Sequence, residues 1–142
     1  MKINRTASAQ WKGPLKDGRG AISTQSGALD AYPYGFASRF EGTKGTNPEE
    51  LIGAAHAGCF TMALSMMLGE AGFTADEMNT TAQVTLERDG GGFSITNVAL
   101  TLRAKVPNID DAKFQEITTK AKAGCPVSKL LKANITLDAK LD

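Results

Sequence analysis

Residues 51–69 read LIGAAHAGCFTMALSMMLG, and no formally charged side chain interrupts this stretch. Just before it, Asn47 is a good N-cap and Pro48 suits the first helical position. We therefore predict one long helix that runs from Pro48 to about Ala71 and stops at Gly72. A helix that is apolar nearly all round must be buried on all sides. One chain of 142 residues has few elements with which to cover it, which favours a subunit interface.

The same stretch is long enough to be mistaken for a membrane span. We reject a span because its Gly, Ala, His, Ser and Thr residues keep the hydropathy modest. Acidic residues flank it at Glu49, Glu50 and Glu70, and no basic cluster marks a cytoplasmic side. Residues 1–11 hold no apolar segment that would make a signal peptide. Two cysteines are too few for a secreted disulfide scaffold, so the expected compartment is the cytoplasm, with no membrane partner.

The composition is that of a soluble globular domain, with 42% apolar and 22% charged residues. A chain of this length fits one domain, which we predict to span residues 1–142. The formal net charge of +1 provides no basic field for binding nucleic acid. No nucleic-acid partner is therefore expected.

Around the long helix, the residue pattern predicts the order β-β-β-α-β-β-α-α-β. That order is typical of an α+β fold with an antiparallel sheet and helices on one face. Beyond the long helix, a helix is predicted from Asp110 or Asp111 to Gly124, and a short one from Pro126 to about Lys132. The predicted strands cover residues 4–11, 19–25, 34–41, 77–88, 93–105 and 135–141, and a glycine-rich turn at 89–92 joins the fourth and fifth strands into a hairpin.

The two cysteines have unusual neighbourhoods, and they suggest a redox pair more than a metal site. Cys59 lies within the long helix, well past its first turn, so the helix dipole does not reach it. Its apolar surroundings should raise the pKa of the thiol, whereas a peroxide-reducing or thiol-transfer cysteine must be a thiolate near neutral pH. A reactive Cys59 therefore needs a nearby cation. Arg39 is the best local candidate and Arg19 the second, although each also fits a solvated strand residue.

Glu50 is the expected carboxylate partner for such an arginine. At about 1.5 Å per residue along a straight helix, Glu50 lies about 13 Å from Cys59 and on the opposite face. It can serve the site only through a bend in the chain, a bridging arginine or a second subunit, and capping of the helix is an alternative role.

His56 lies three residues before Cys59 and fits either a base for the thiol or a satisfied buried histidine. No spacing of histidines and cysteines forms a recognisable metal-ligand set, so no metal or cofactor is expected. Cys125 directly precedes Pro126 and is the predicted N-cap of the short helix, where unpaired backbone N–H groups favour a thiolate. A thiolate at that position is a good leaving group when a disulfide is reduced, which fits a resolving cysteine.

Three segments carry a resemblance to a known family: PYGFASRFEG at 33–42, GTNPEELIGAAHAGCF at 45–60, and AKAGCPVS at 121–128. They resemble the osmotically inducible protein C (OsmC) branch of the OsmC/Ohr family of thiol-dependent peroxidases. The resemblance extends from Trp11 to the C-terminus, and the PYGF and AAHA motifs separate this branch from the organic hydroperoxide resistance (Ohr) branch.

The resemblance implies an intertwined homodimer with antiparallel sheets packed around long central helices. It also implies a stress-defence peroxidase, without a cofactor, that reduces organic hydroperoxides to alcohols and is restored by an external dithiol. In the resemblance Cys59 matches the peroxidatic cysteine, which becomes a sulfenic acid, and Cys125 matches the resolving cysteine, which forms a disulfide with it. Arg39 and Glu50 match the Arg and Glu of the site, although the Ohr branch draws its Arg from a segment nearer Arg19. The alternative function is a regulatory thiol sensor that oxidises once and signals.

Overall fold

The chain forms six strands and four helices, and the computed structural model describes all 142 residues. The elements are β1 (Ala7–Lys12), β2 (Arg19–Thr24), β3 (Tyr32–Tyr34), α1 (Phe36–Phe40), α2 (Pro48–Glu70), β4 (Glu77–Asp89), β5 (Gly92–Lys105), α3 (Asp111–Gly124), α4 (Pro126–Leu130) and β6 (Asn134–Leu141). The predicted α+β class is confirmed. The residues form two compact units, Met1–Leu51 and Ile52–Asp142, which are described separately, and the predicted single domain over 1–142 stays a prediction.

The first unit is built on an antiparallel sheet in the order β1-β2-β3. Gly20 of β2 lies opposite both Trp11 and Tyr34, whose rings meet edge to face with their centroids 5.6 Å apart. A Cβ at position 20 would overlap both rings, so only glycine permits this aromatic pair. The pair fixes the two outer strands of the sheet against the middle one.

The strand predicted over residues 34–41 is wrong, because β3 ends at Tyr34 and the chain turns into the short helix α1. Ser38 explains the turn: the backbone N–H of Gly35 donates to Ser38 Oγ at 2.9 Å, and Ser38 Oγ donates to the carbonyl of Thr46 at 2.9 Å. Such local side-chain bonds offer the backbone an alternative to a strand ladder. The apparent alternation of Phe36 and Phe40 is therefore a helical i, i+4 pair, with ring centroids 5.0 Å apart.

The long helix α2 begins and ends where the sequence predicts. Asn47 Oδ1 accepts a hydrogen bond from the backbone N–H of Glu50 at 2.8 Å, which confirms the N-cap. After the last turn, Gly72 adopts φ +88°, a conformation that favours glycine, and the N–H of Phe73 returns to the carbonyl of Leu68. By length and composition alone α2 passes the test for a membrane span, a test that core helices of soluble proteins also pass.

The second unit contains the sheet β4-β5-β6. Strands β4 and β5 form the predicted antiparallel hairpin, but β6 pairs parallel to β5. The prediction of an antiparallel sheet is therefore wrong for its last strand. Parallel neighbours need a crossover connection of a dozen or more residues, and α3 and α4 provide it. Asp110 caps α3, its carboxylate accepting from the backbone N–H of Lys113 at 2.7 Å.

One continuous apolar core holds the second unit together. Alternate residues of β5 point into it, while their neighbours on the strand face outward. The core consists of Phe60, Leu64 and Leu68 from α2, Val98, Leu100, Leu102 and Ala104 from β5, Val106, Phe114, Ile117 and Ala121 of the α3 region, and Cys125.

Only one side of α2 is buried in this core. The other side forms an exposed stripe without a single charged residue, made of Ala54, Ala55, Gly58, Met62, Ser65, Met66 and Gly69. Met62 and Met66 are 76% and 57% exposed, which is unusual for such apolar side chains. Within one chain the helix is therefore covered on one side rather than on all sides.

Candidate active site

The two cysteines lie side by side in the second unit, although they are far apart in the sequence. Both are free thiols; Cys125 is completely buried and Cys59 is partly exposed at the edge of the core. The two side chains are near enough for Cys125 to raise the pKa of the Cys59 thiol. The helix α2 supplies Cys59, and the junction of α3 and α4 supplies Cys125. This arrangement suits a partly exposed thiol that reacts first and a buried thiol that reacts with it afterwards.

The pKa of Cys59 is raised above its ordinary value, as the sequence predicts. Burial is the largest cause, because desolvation disfavours the charged thiolate. The backbone N–H of Val127 opposes it by donating to the sulfur, while the hydrogen bond and charge of Cys125 raise the pKa further. Nothing in the second unit supplies a cation to Cys59, so activation of this thiol requires a positive group from elsewhere.

Cys125 is held by the start of α4. It is the N-cap of that helix, and its sulfur accepts the backbone N–H of Ser128 at 3.3 Å. Its thiol also lies 3.2 Å from Ser128 Oγ, and Ser128 Oγ lies 2.7 Å from Nε2 of His56. The structure therefore links Cys125, Ser128 and His56 in one line of hydrogen bonds.

Arg39 and the acidic residues at the start of α2 form a second cluster, in the first unit. Arg39 donates to one oxygen of Glu49, from Nε at 3.1 Å and from Nη2 at 2.8 Å. Glu50 instead accepts the hydroxyl of Thr46 at 2.8 Å. Within one chain Arg39 therefore pairs with Glu49 and not with the expected Glu50, because Glu49 faces α1 while Glu50 faces the Thr46 hydroxyl. A role of Glu50 in the site stays a prediction.

Glu49 is a residue whose role the sequence analysis missed. Adjacent helical positions point about 100° apart, so periodicity cannot choose between two neighbouring glutamates when the position of α1 is unknown. The Glu49 carboxylate is nearly buried, and its second oxygen has no hydrogen-bond partner. Arg19, the alternative arginine, is exposed at the start of β2, and the ion pairs of the chain involve Arg39, Arg103, Lys113 and Lys120 only.

An apolar pocket of about 230 Å³ lies beside Arg39 in the first unit. Aromatic and aliphatic side chains line it, and Arg39 is the one charged residue in its wall; the lining is Trp11, Leu15, Tyr34, Gly35, Phe36, Arg39 and Phe40. The guanidinium carbon of Arg39 lies 5.3 Å from the centre of the Phe40 ring, a cation–π distance. A cation in an apolar pocket suits a ligand with a polar head and an apolar body.

Comparison with known proteins gives one consistent family. The model of the family described as "OsmC-like protein" matches residues 41–140. The chain is 59% identical over 141 residues to Peroxiredoxin OsmC of Escherichia coli, which covers 99% of both chains. It is 35% identical over 125 residues to the organic hydroperoxide resistance protein OhrB of Bacillus subtilis, which covers 87% of this chain and 88% of that protein.

Solved structures agree with this family. The crystal structure of OhrB from Bacillus subtilis aligns with a TM-score of 0.68 at 30% identity, covering 96% of this chain and 98% of the other. An organic hydroperoxide resistance protein from Elizabethkingia anophelis aligns with a TM-score of 0.69 at 26% identity, covering 100% and 99%. The fold and the order of its elements are thus those of these proteins.

Proposed function

We propose a reaction cycle for this chain on the premise that it belongs to the OsmC-like protein family and is a thiol-dependent peroxidase. The substrate is an organic hydroperoxide, and the reducing electrons come from the Cys59 thiolate. The observation that carries the proposal is that a partly exposed Cys59 packs against the core that contains a buried Cys125, which raises the pKa of the Cys59 thiol. No cofactor takes part, and an external dithiol restores the enzyme in the cytoplasm.

The cycle has three steps. The Cys59 thiolate attacks the distal oxygen of ROOH, the O–O bond breaks, and the alkoxide leaves with a proton as the alcohol, so that Cys59 becomes a sulfenic acid. Cys125 then attacks the Cys59 sulfur, forming the disulfide and releasing water. A dithiol reduces this disulfide and becomes oxidised itself.

Arg39 is proposed to supply the missing cation. A guanidinium near the Cys59 sulfur offsets the burial that raises the pKa of this thiol, and it stabilises the charge that develops on the leaving oxygen. Glu49 holds the guanidinium through two hydrogen bonds. Because the Arg39 side chain is already oriented, it loses less freedom when the transition state forms. Glu50 is proposed to support the same cluster by holding the Thr46 hydroxyl at the start of α2.

We further propose that the enzyme works as a homodimer whose subunits pack along α2. The uncharged stripe of α2 is the support, because a contiguous exposed apolar surface marks an interaction site. A second copy of the stripe offers a matching apolar surface in a symmetric contact. Such a dimer also allows the Arg39 cluster of the partner subunit to complete the thiol site.

Placing charges in this stripe should dissociate the dimer. In the double variant Met62→Glu and Met66→Glu, four carboxylates would meet at a symmetric contact, and desolvating them costs more than the contact provides. Sedimentation at micromolar concentration should then change from a dimer to a monomer. Phe93→Glu, on an exposed aromatic of the β4–β5 hairpin, is the matched control and should stay dimeric. A wild-type protein that is a stable, active monomer would contradict the proposal.

The pocket beside Arg39 predicts a preference for bulky hydroperoxides. Each buried CH₂ contributes about 0.8 kcal/mol, so four of them give about 3 kcal/mol. If all of this binding free energy is also present in the transition state, kcat/KM for cumene or tert-butyl hydroperoxide should exceed that for hydrogen peroxide by on the order of a hundredfold. The measurement is steady-state consumption of the three peroxides under one dithiol reductant. Phe36→Ala should shrink the advantage of cumene hydroperoxide, whereas Phe93→Ala, outside the pocket, should keep it.

Two outcomes of this assay would contradict the proposal. Equal kcat/KM values for all three peroxides, or a lead for hydrogen peroxide, would mean that the aromatic residues line no substrate site. Consumption that stops after one equivalent of peroxide, with the dithiol still in excess, would favour the alternative function of a regulatory thiol sensor.

A further inference from the structure

His56 is a buried titratable side chain that the cycle above does not use. It is completely buried in α2, its Nε2 lies 2.7 Å from Ser128 Oγ, and its Nδ1 has no hydrogen-bond partner. A buried polar atom without a partner is uncommon in a protein and calls for a functional explanation. The single hydrogen bond of the imidazole ring leads, through Ser128, to the sulfur of Cys125.

The hydrogen bonds in this line have a consistent direction. The Cys125 thiol donates to Ser128 Oγ at 3.2 Å, while the backbone N–H of Ser128 donates to the same sulfur at 3.3 Å. With its oxygen accepting from the thiol, the Ser128 hydroxyl turns its own proton toward Nε2 of His56. In the tautomer that carries its proton on Nδ1, Nε2 is the acceptor at the end of a line that begins at the Cys125 thiol. Burial also lowers the pKa of His56, so the ring is neutral before the reaction and holds the transferred proton only transiently.

We propose that Ser128 and His56 form a proton relay for Cys125, which moves the thiol proton away as Cys125 attacks the Cys59 sulfenic acid. This inference rests on the proposed two-cysteine cycle. Ser128 contacts the reacting sulfur directly, whereas His56 touches neither cysteine and is a positioning residue that acts through Ser128. The role of base to Cys59, which the sequence allows for His56, is not supported, because the one hydrogen bond of the His56 ring goes to Ser128 Oγ.

The step balances without any further reagent. The S–H bond of Cys125 breaks, and its proton passes to Ser128 Oγ as the hydroxyl proton of Ser128 passes to Nε2 of His56. The Cys125 sulfur forms the S–S bond with Cys59, the S–O bond of the sulfenic acid breaks, and hydroxide leaves. The Ser128 hydroxyl then gives its proton to the departing hydroxide as His56 returns a proton to Ser128 Oγ, so that water leaves and both relay residues regain their starting state. Cys125 is oxidised and the Cys59 sulfur is reduced from its sulfenic state.

The test follows the lifetime of the sulfenic acid after the reduced protein receives one equivalent of cumene hydroperoxide. Rapid quenching with a sulfenic-acid-trapping reagent, followed by mass spectrometry, counts the sulfenic acid and the Cys59–Cys125 disulfide at each time. Ser128→Ala removes the relay hydroxyl, and His56→Gln keeps a polar group that can hydrogen-bond but cannot accept a proton. Both should prolong the lifetime of the sulfenic acid at least about tenfold, which is less than the roughly hundredfold lower end of direct general base effects because His56 acts through Ser128. Ser128→Thr, which keeps the hydroxyl, should restore the wild-type lifetime.

Thr118→Val is the matched control. It removes another completely buried hydroxyl, one that bonds the carbonyl of Gln115 and lies outside the relay. This variant should form the disulfide as fast as the wild type, which separates the relay from a general loss of packing.

The outcomes distinguish this inference from the proposed function. If the wild type forms no Cys59–Cys125 disulfide, the two-cysteine cycle itself fails. If it forms the disulfide and His56→Gln does so at the same rate, His56 only fills space and bonds Ser128, and the relay is overturned. Should the His56 variants fail to fold, Ser128→Ala decides alone: a wild-type lifetime of the sulfenic acid overturns the relay, and a prolonged one that Ser128→Thr restores supports it.

Discussion

Cys59→Ser is expected to abolish the reduction of hydroperoxides, lowering kcat/KM at least about a thousandfold, or about 4 kcal/mol of transition-state stabilisation. The serine hydroxyl does not ionise near neutral pH, and it cannot form the sulfenic acid on which the cycle depends. Because Cys59 lies partly exposed at the edge of the core, the smaller oxygen should leave the fold intact. Steady-state consumption of cumene hydroperoxide, with circular dichroism to verify folding, measures the effect.

Residual activity is the outcome that decides this assignment. A folded Cys59→Ser protein with more than a few per cent of wild-type turnover would mean that another group is the nucleophile. Cys125 is the only other cysteine of the chain, so the double variant with Cys125→Ser would then show whether that thiol had taken over.

Cys125→Ser should show a different defect, reacting once with peroxide and then stalling. We expect one rapid equivalent of alcohol, followed by turnover on the order of a hundredfold slower than the wild type, a loss of about 3 kcal/mol. Without a resolving thiol the sulfenic acid of Cys59 persists and oxidises further to sulfinic acid. Serine is itself a preferred N-cap residue, so α4 should keep its start and the position of Ser128.

Mass spectrometry of the oxidised proteins checks this prediction. The wild type should contain a Cys59–Cys125 disulfide, and Cys125→Ser should contain sulfenic, sulfinic or sulfonic acid at Cys59. Wild-type turnover in the variant, or an oxidised wild type without the disulfide, would mean that an external thiol resolves the sulfenic acid directly.

Most of the helices and strands could be predicted because their signals are local. Asn47 and Pro48 mark the start of α2, and Gly72 marks its end, through contacts within one turn of the backbone. The same holds for Asp110 at α3 and for the glycine-rich turn between β4 and β5. Such caps and turns depend little on the rest of the fold.

The features that the sequence did not predict depend on contacts between distant segments. Residues 36–40 alternate in hydrophobicity as a strand does. The helix is favoured by the hydrogen bond from Ser38 to the carbonyl of Thr46, and Thr46 belongs to another segment. The direction of β6 depends on the crossover through α3 and α4, which leaves no mark on the alternation of the strand. Likewise, the orientation of α1 determines which of Glu49 and Glu50 meets Arg39.

The candidate site divides in the same way. The thiols and Arg39 could be named from the sequence, because their residue types carry the chemistry and their motifs resemble a family. Ser128 could not, because a serine at the third position of a short helix is ordinary until the fold places it between His56 and Cys125. Its only advance signal was its place beside Cys125 in the AKAGCPVS segment.

The parallel pairing of β6 has a consequence for how the protein fails under stress. Cys125 lies within the crossover connection that leads from β5 to β6. Helix α3 of that connection is bound to the edge strand β6 by Gln115, whose amide donates to the carbonyl of Ala139 at 2.7 Å. Regions that are held by few buried contacts and hydrogen bonds open first in local unfolding. If β6 separates from β5, the crossover segment is no longer held against the sheet and Cys125 moves away from Cys59. Helix α2 and the β4–β5 hairpin would stay folded. Partial unfolding would then leave a nucleophile that still reacts with peroxide but has lost its protection against irreversible oxidation.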